Sequence, residues 1–91
     1  MIILADIEDI DNDELELYED RKNSLYELKI CLDKKIYIDI LKNIDKDLLD
    51  VELKINQWWD RIIDKYNLSL EEGDEVNVRF IDRQIVLINS K

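Results

Sequence analysis

The residues of this 91-residue sequence whose type and spacing could do chemistry are seven carboxylates between Asp9 and Asp20. Asp9, Asp11 and Asp13 alternate, and Asp20 stands twelfth counting from Asp9, which is the frame of a calcium loop. The sixth position, where the sharp turn of such a loop requires Gly, is Glu14, and the eighth, normally apolar, is Glu16. No metal is expected there.

The same acids suit a different task. In an extended chain alternate side chains fall on one side about 6.5–7 Å apart, close to the spacing of successive phosphates along one nucleic-acid strand. Asp9, Asp11 and Asp13, or Glu14 and Glu16, would then imitate a phosphate backbone, with Glu19 and Asp20 extending the acidic run. Such a surface would occupy a basic groove, gain association rate from steering and lose affinity as salt rises. The plainer reading is a solvated segment whose charge discourages strand-to-strand aggregation.

Catalysis finds little to work with. The chain has no His, no Thr, one Cys and three serines (Ser24, Ser69, Ser90), so the common nucleophile and acid–base triads cannot be built. Its only glycine, Gly73, cannot form a phosphate-cradling loop. Carboxylate pairs remain, but 23 acids produce close pairs by chance, and a binding protein without enzymatic activity or cofactor is expected. Cys31 cannot form an internal disulfide and reads as a small buried hydrophobe, which fits a reducing compartment.

Aromatic residues supply the other binding candidate. Trp58 falls in an apolar stripe and reads as core, whereas Trp59 lies about 40° from Ile55 at 100° per residue, on the margin of that stripe. Trp59 is therefore a candidate partner contact. Leu53 falls nearly opposite the stripe and Leu49 at its margin, and together they could leave an apolar patch for a partner or a second copy of the chain.

The elements that must position these residues are read from period, because the chain has no Pro and a single Gly. Leu41, Ile44, Leu48, Val51, Ile55, Trp58 and Ile62 recur every three or four residues and predict one long helix at about 45–67, capped by Asn43 or Asp45. Val76, Val78 and Phe80 alternate after the turn Glu72-Gly73-Asp74, and Asp82-Arg83 separates them from residues 84–88, which predicts a C-terminal hairpin. Tyr26, Leu28, Ile30 and Leu32 alternate, as do Ile36, Ile38 and Ile40, which reads as a further hairpin near 25–32 and 36–41, with 14–19 as a preceding strand of a meander. Helix is the rival over 14–32, because Glu, Leu, Lys and Arg favour it and Leu15, Tyr18, Leu25, Leu28 and Leu32 fit a helical stripe. The expected class is α+β, a small antiparallel sheet packed on one long helix, in a single domain spanning 1–91.

Charge is concentrated rather than spread. Residues 1–20 hold nine acids and no base, whereas residues 21–91 hold fourteen acids and thirteen bases, so the acidic N-terminal segment carries nearly all of the net charge of −10. That repels nucleic acid and anionic lipid and attracts basic protein surfaces, so neither direct nucleic-acid binding nor membrane docking is expected. The longest apolar run, Ile85 to Ile88, is far too short to span a bilayer, and the start Met1 to Asp6 has no basic lead into a secretory segment. A cytoplasmic location is expected, in the host cytoplasm if the gene is viral. Fifteen isoleucines against one alanine also suit an AT-rich genome or its viruses.

From Leu68 to Ile88 the chain resembles the second half of AbrB-like swapped-hairpin domains of transition-state regulators and antitoxins, at Leu70, Gly73, Asp74, Val76, Val78, Ile85 and Leu87. The resemblance covers 21 of 91 residues and implies a dimerising hairpin. That family's first half carries basic DNA contacts, whereas this first half is acidic, so no DNA-contact residue transfers. In size and charge the chain also looks like anti-CRISPR proteins and other DNA-mimic inhibitors. Two functions are thus expected: an inhibitor or accessory protein, encoded by a phage or mobile element, that blocks a basic nucleic-acid-binding site, or a dimeric antitoxin or regulator subunit that binds a basic toxin.

Overall fold

The computed structural model of the chain describes residues 2–89. The order of elements is β1 (Ile2–Asp6), α1 (Asp9–Cys31), α2 (Ile38–Lys65), β2 (Glu75–Arg79) and β3 (Gln84–Asn89). The class is α+β, with two helices and one antiparallel sheet of order β1-β3-β2.

Helix α2 forms where its period dictates. All seven residues of its three-and-four stripe are buried, Trp58 completely. It starts at Ile38, about one and a half to two turns before the expected cap at Asn43 or Asp45, and among the described residues no side-chain hydrogen bond caps its N-terminus. Its end is firmer. Asn67 takes a left-handed φ of 52°, which lets the Leu68 N–H bond the Ile63 carbonyl at 2.9 Å and close the last turn.

The C-terminal hairpin lies where the alternation puts it, with Val76 opposite Leu87 and Val78 opposite Ile85. Gly73 supplies the φ of 91° that the turn before β2 requires, and Asp74 accepts the Glu71 N–H at 2.9 Å. The third strand is one the sequence reading omitted. Residues Ile2–Asp6 pair with β3, so both sides of β3 are filled and its Ile85 and Val86 are buried.

The expected strands at 14–19, 25–32 and 36–41 are corrected. Residues 14–31 lie within α1 and Ile38 onward within α2, so the meander is replaced by a helical hairpin and the helical alternative prevails. With β3 paired on both sides, a strand at 25–32 would have to extend the sheet at an edge, whereas the helix lets Leu25 join Leu41, Ile44, Leu48 and Val51 in a second small core. The alternation there follows no buried face. Leu28 and Ile30 are 52% and 84% exposed. Cys31, expected to be buried, is exposed on the last turn of α1.

Two cores result. The main one joins Ile7, Leu15, Ile55, Trp58, Ile62, Val78 and Ile85, and half-buried Tyr18 packs against both it and the distal cluster around Leu48. The hairpin reaches past the sheet, giving extents of 47 × 29 × 20 Å. None of its helices is long and apolar enough to cross a membrane among the described residues.

Candidate functional site

Because residues 9–20 are helical, their acids point in several directions. At about 100° per residue, Asp13, Glu16, Asp20 and Asn23 share one outward face of α1, while Asp11 and Glu14 turn toward α2. Asp9, Asp11 and Asp13 therefore do not form the expected single row. The rise of 1.5 Å per residue and the helical rotation replace the extended spacing on which a phosphate-like row depended.

Own cations neutralise much of the segment. Asp9 pairs with Arg83 at 3.1 Å, Glu14 with Arg61, Glu19 with Lys22 at 3.1 Å and Asp11 with Lys65 at 2.7 Å. Asp13, Glu16 and Asp20 make no ion pair among the described residues. These three carry the unspent charge.

The outward acids border a groove. Glu16, Glu19, Asp20 and Asn23 form one wall, Val76, Asn77 and Phe80 the other, and Trp59 lies between them, enclosing about 360 Å³. Past Trp59 the groove widens over an apolar floor of Ile63, Leu70, Val76 and Ile88 to a further 540 Å³, with Asp74 and Glu75 at its rim. Toward the start of α1 it narrows to a 290 Å³ cleft between Asn12, Asp13 and Glu16 on one side and Phe80, Ile81 and Arg83 on the other. Glu16 and Phe80 line both parts, so the groove is continuous.

Buried contacts set the geometry of this groove. Trp58, wholly buried, donates its Nε1–H to the Asp11 carbonyl at 2.9 Å and meets Trp59 edge-to-face, with centroids 4.9 Å apart at 89°. Asp11 Oδ2 also accepts from Lys65 Nζ at 2.7 Å and from the Tyr66 hydroxyl at 2.9 Å, and that hydroxyl in turn accepts the Glu8 N–H at 2.9 Å. Burial works to raise the Asp11 carboxyl, but the hydrogen bonds of Lys65 and Tyr66 and the charges of Lys65 and Arg61 outweigh it and hold the group below its ordinary value. The hydrogen bond to Asp11 raises Lys65, against a smaller opposing effect of burial, and burial and Asp11 together raise Tyr66. Asp11 is thus a clamp between α1 and the end of α2.

Of the eight candidate residues, Glu16, Glu19, Asp20 and Trp59 come together in the groove and Asp13 stands at its narrow end. Asp9, Asp11 and Glu14 do not join them. Sequence reasoning missed Asn12, Asn23, Asn77 and Phe80. The three-and-four spacing of Asp13, Glu16, Asp20 and Asn23 would have exposed the acidic wall once the segment was read as helix.

Carboxylates around a half-exposed indole recognise cations, because the ring face attracts an ammonium or guanidinium that the acids then hydrogen-bond. No group of three potential metal ligands is assembled among the described residues. Comparison with protein-family models, curated proteins and solved structures finds no match for this chain.

Proposed function

We propose that the chain is a non-enzymatic binding protein that masks a basic site on another protein, most simply a site meant for nucleic acid. The supporting observation is the groove in which Glu16, Glu19, Asp20 and Trp59 converge, acidic on one wall and aromatic at its centre. A nucleic-acid site offers Lys and Arg side chains at close spacing, and the groove supplies both counter-charge and a ring face for them. Charge steers the encounter, and Trp59 with its apolar neighbours supplies the contact that persists once charge is screened.

Affinity capture from host lysate tests this. At about 0.05 M salt the intact chain is expected to retain a basic protein that the triple variant Glu16→Gln, Glu19→Gln, Asp20→Asn loses, and capture is expected to weaken at about 0.5 M salt. Retention of the same partner by both chains would reject the groove as its site.

One observation favours a dimer, the assembly of the regulator reading, although on a different surface from the C-terminal hairpin that the resemblance implies. The tip of the helical hairpin exposes Leu28, Ile30, Ile36, Ile38 and Ile40, the kind of apolar patch that a second copy covers. Light scattering separates the readings: an obligate dimer supports the regulator or antitoxin subunit, and a monomer the inhibitor.

A further inference from the structure

We infer that the groove takes its partner as an added strand: an extended segment rich in Lys and Arg pairs along the free edge of β2, beside the acidic face of α1. This rests on the partner-binding reading above and specifies the occupant and its mode of attachment.

Strand β2 ends the sheet. Among the described residues it pairs with β3 alone, and its other side borders the cleft whose far wall is α1. A terminal strand presents a row of backbone N–H and C=O groups to whatever lies beside it, and proteins usually blunt such an edge with Pro, Lys or a covering element. Strand β2 has neither Pro nor Lys, and its charged residues, Glu75 and Arg79, stand at its two ends and leave Val76, Asn77 and Val78 between them. Instead the Val78 N–H is accepted by the Asn77 side chain at 2.8 Å, a local cap that an incoming carbonyl would replace. The Phe80 carbonyl is engaged by Asn12 Nδ2 at 3.2 Å, which ties the helix to the end of the strand and closes the groove there. Between these points the helix and the strand edge stand apart.

The same closing residue carries an unmet bond. Asn12 is 3% exposed, and its Oδ1 has no hydrogen-bond partner among the described residues. It lines the narrow cleft with Asp13, Glu16 and Arg83, and because Arg83 is paired with Asp9, an incoming guanidinium or ammonium would meet two unpaired carboxylates beside the buried Asn12 acceptor.

Charge and spacing select the occupant. Alternate side chains of an added strand stand about 6.5–7 Å apart, and along α1 Asp13, Glu16 and Asp20 follow at about 4.5 and 6 Å of rise. Basic residues at alternate positions therefore face this wall, while Trp59, Val76 and Leu70 offer apolar contact farther along the groove. Backbone pairing supplies affinity in strand addition, and the flanking pockets supply specificity.

The test uses the full chain and a terminally blocked peptide of alternating Lys and Val with one Arg. Binding is followed by tryptophan fluorescence, with Trp59 the more exposed of the two indoles, and by the amide signals of Val76 and Val78. Two further peptides carry N-methyl groups on one or the other alternating set of amides, which preserves charge while removing edge donors. The peptide is expected to bind at about 0.05 M salt and to shift both valine amides. Methylating the set that faces β2 is expected to weaken binding at least about tenfold, and methylating the other set less than about twofold. Asn77→Ala is expected to tighten binding about threefold by uncapping the edge. If the two methylated peptides bind alike, strand addition is wrong while charge-driven docking stands. If no peptide binds, strand addition by a basic segment is wrong as well, and lysate capture judges the broader reading separately.

Discussion

Trp58→Ala is expected to lower the urea midpoint of unfolding by about a fifth at the least. Trp58 is wholly buried at the meeting point of α1, α2 and the sheet, and truncating a core Trp costs about 3–5 kcal/mol. A chain of this size has about 5–14 kcal/mol in total, so this one change removes a large share of it. Part of the loss is the indole hydrogen bond to Asp11, which leaves a carbonyl of α1 without that donor. The edge-to-face support of Trp59 goes with it, so the groove loosens as the core does. Urea titration by circular dichroism measures the effect, with Trp59→Ala as the control. That residue is only half-buried, so its removal is expected to cost far less stability while impairing partner binding. A midpoint for Trp58→Ala within a few tenths molar of the parent would show that the helix–sheet junction does not depend on this indole.

The second large effect is at Asp11. Asp11→Ala removes the acceptor shared by Lys65 and Tyr66 and is expected to cost about 1–3 kcal/mol at pH near 7. Its sign with pH follows from the lowered pKa. A carboxyl that ionises more readily folded than unfolded stabilises the fold above the unfolded value near 3.8, and that contribution is lost as pH falls through the lower folded value. The difference between parent and variant should therefore stay constant from neutral pH to about 5 and shrink below about 4. Urea midpoints across that range check it. A difference that grew on acidification would mean that Asp11 is held neutral rather than ionised in the fold.

These two residues also show how much was legible in the sequence. Trp58 could be assigned to the core because its stripe runs unbroken for six turns, and no other period fits it. Asp11 could not be separated from Asp9 and Asp13, since all three have the same type and look equally solvated in sequence. Only the approach of the end of α2, bringing Lys65 and Tyr66 across from residues more than fifty positions away, makes one of them a clamp.

The hairpin helices mark the limit of period as a guide. Residues 26–32 alternate as well as residues 76–80 do, yet only the second run is a strand. Alternation specifies a strand when a neighbouring strand can pair with it and one face can be buried. The C-terminal run has β3 for this, while the earlier run has helix-favouring neighbours and an apolar stripe on α2 to pack against. Five apolar residues at the hairpin tip stayed exposed as a result.

The sequence by itself determined the acid-rich N-terminal segment, the long amphipathic helix, the C-terminal hairpin and the shortage of catalytic groups, because composition and local period depend on nearby residues alone. Tertiary structure decided which acids are spent on internal cations and which remain, that Ile2–Asp6 becomes the third strand, and that Glu16, Glu19 and Asp20 meet Trp59 beside a free sheet edge. Those outcomes depend on contacts between residues tens of positions apart. The energy of such contacts comes from desolvation and charge pairing across the fold, which no local pattern contains.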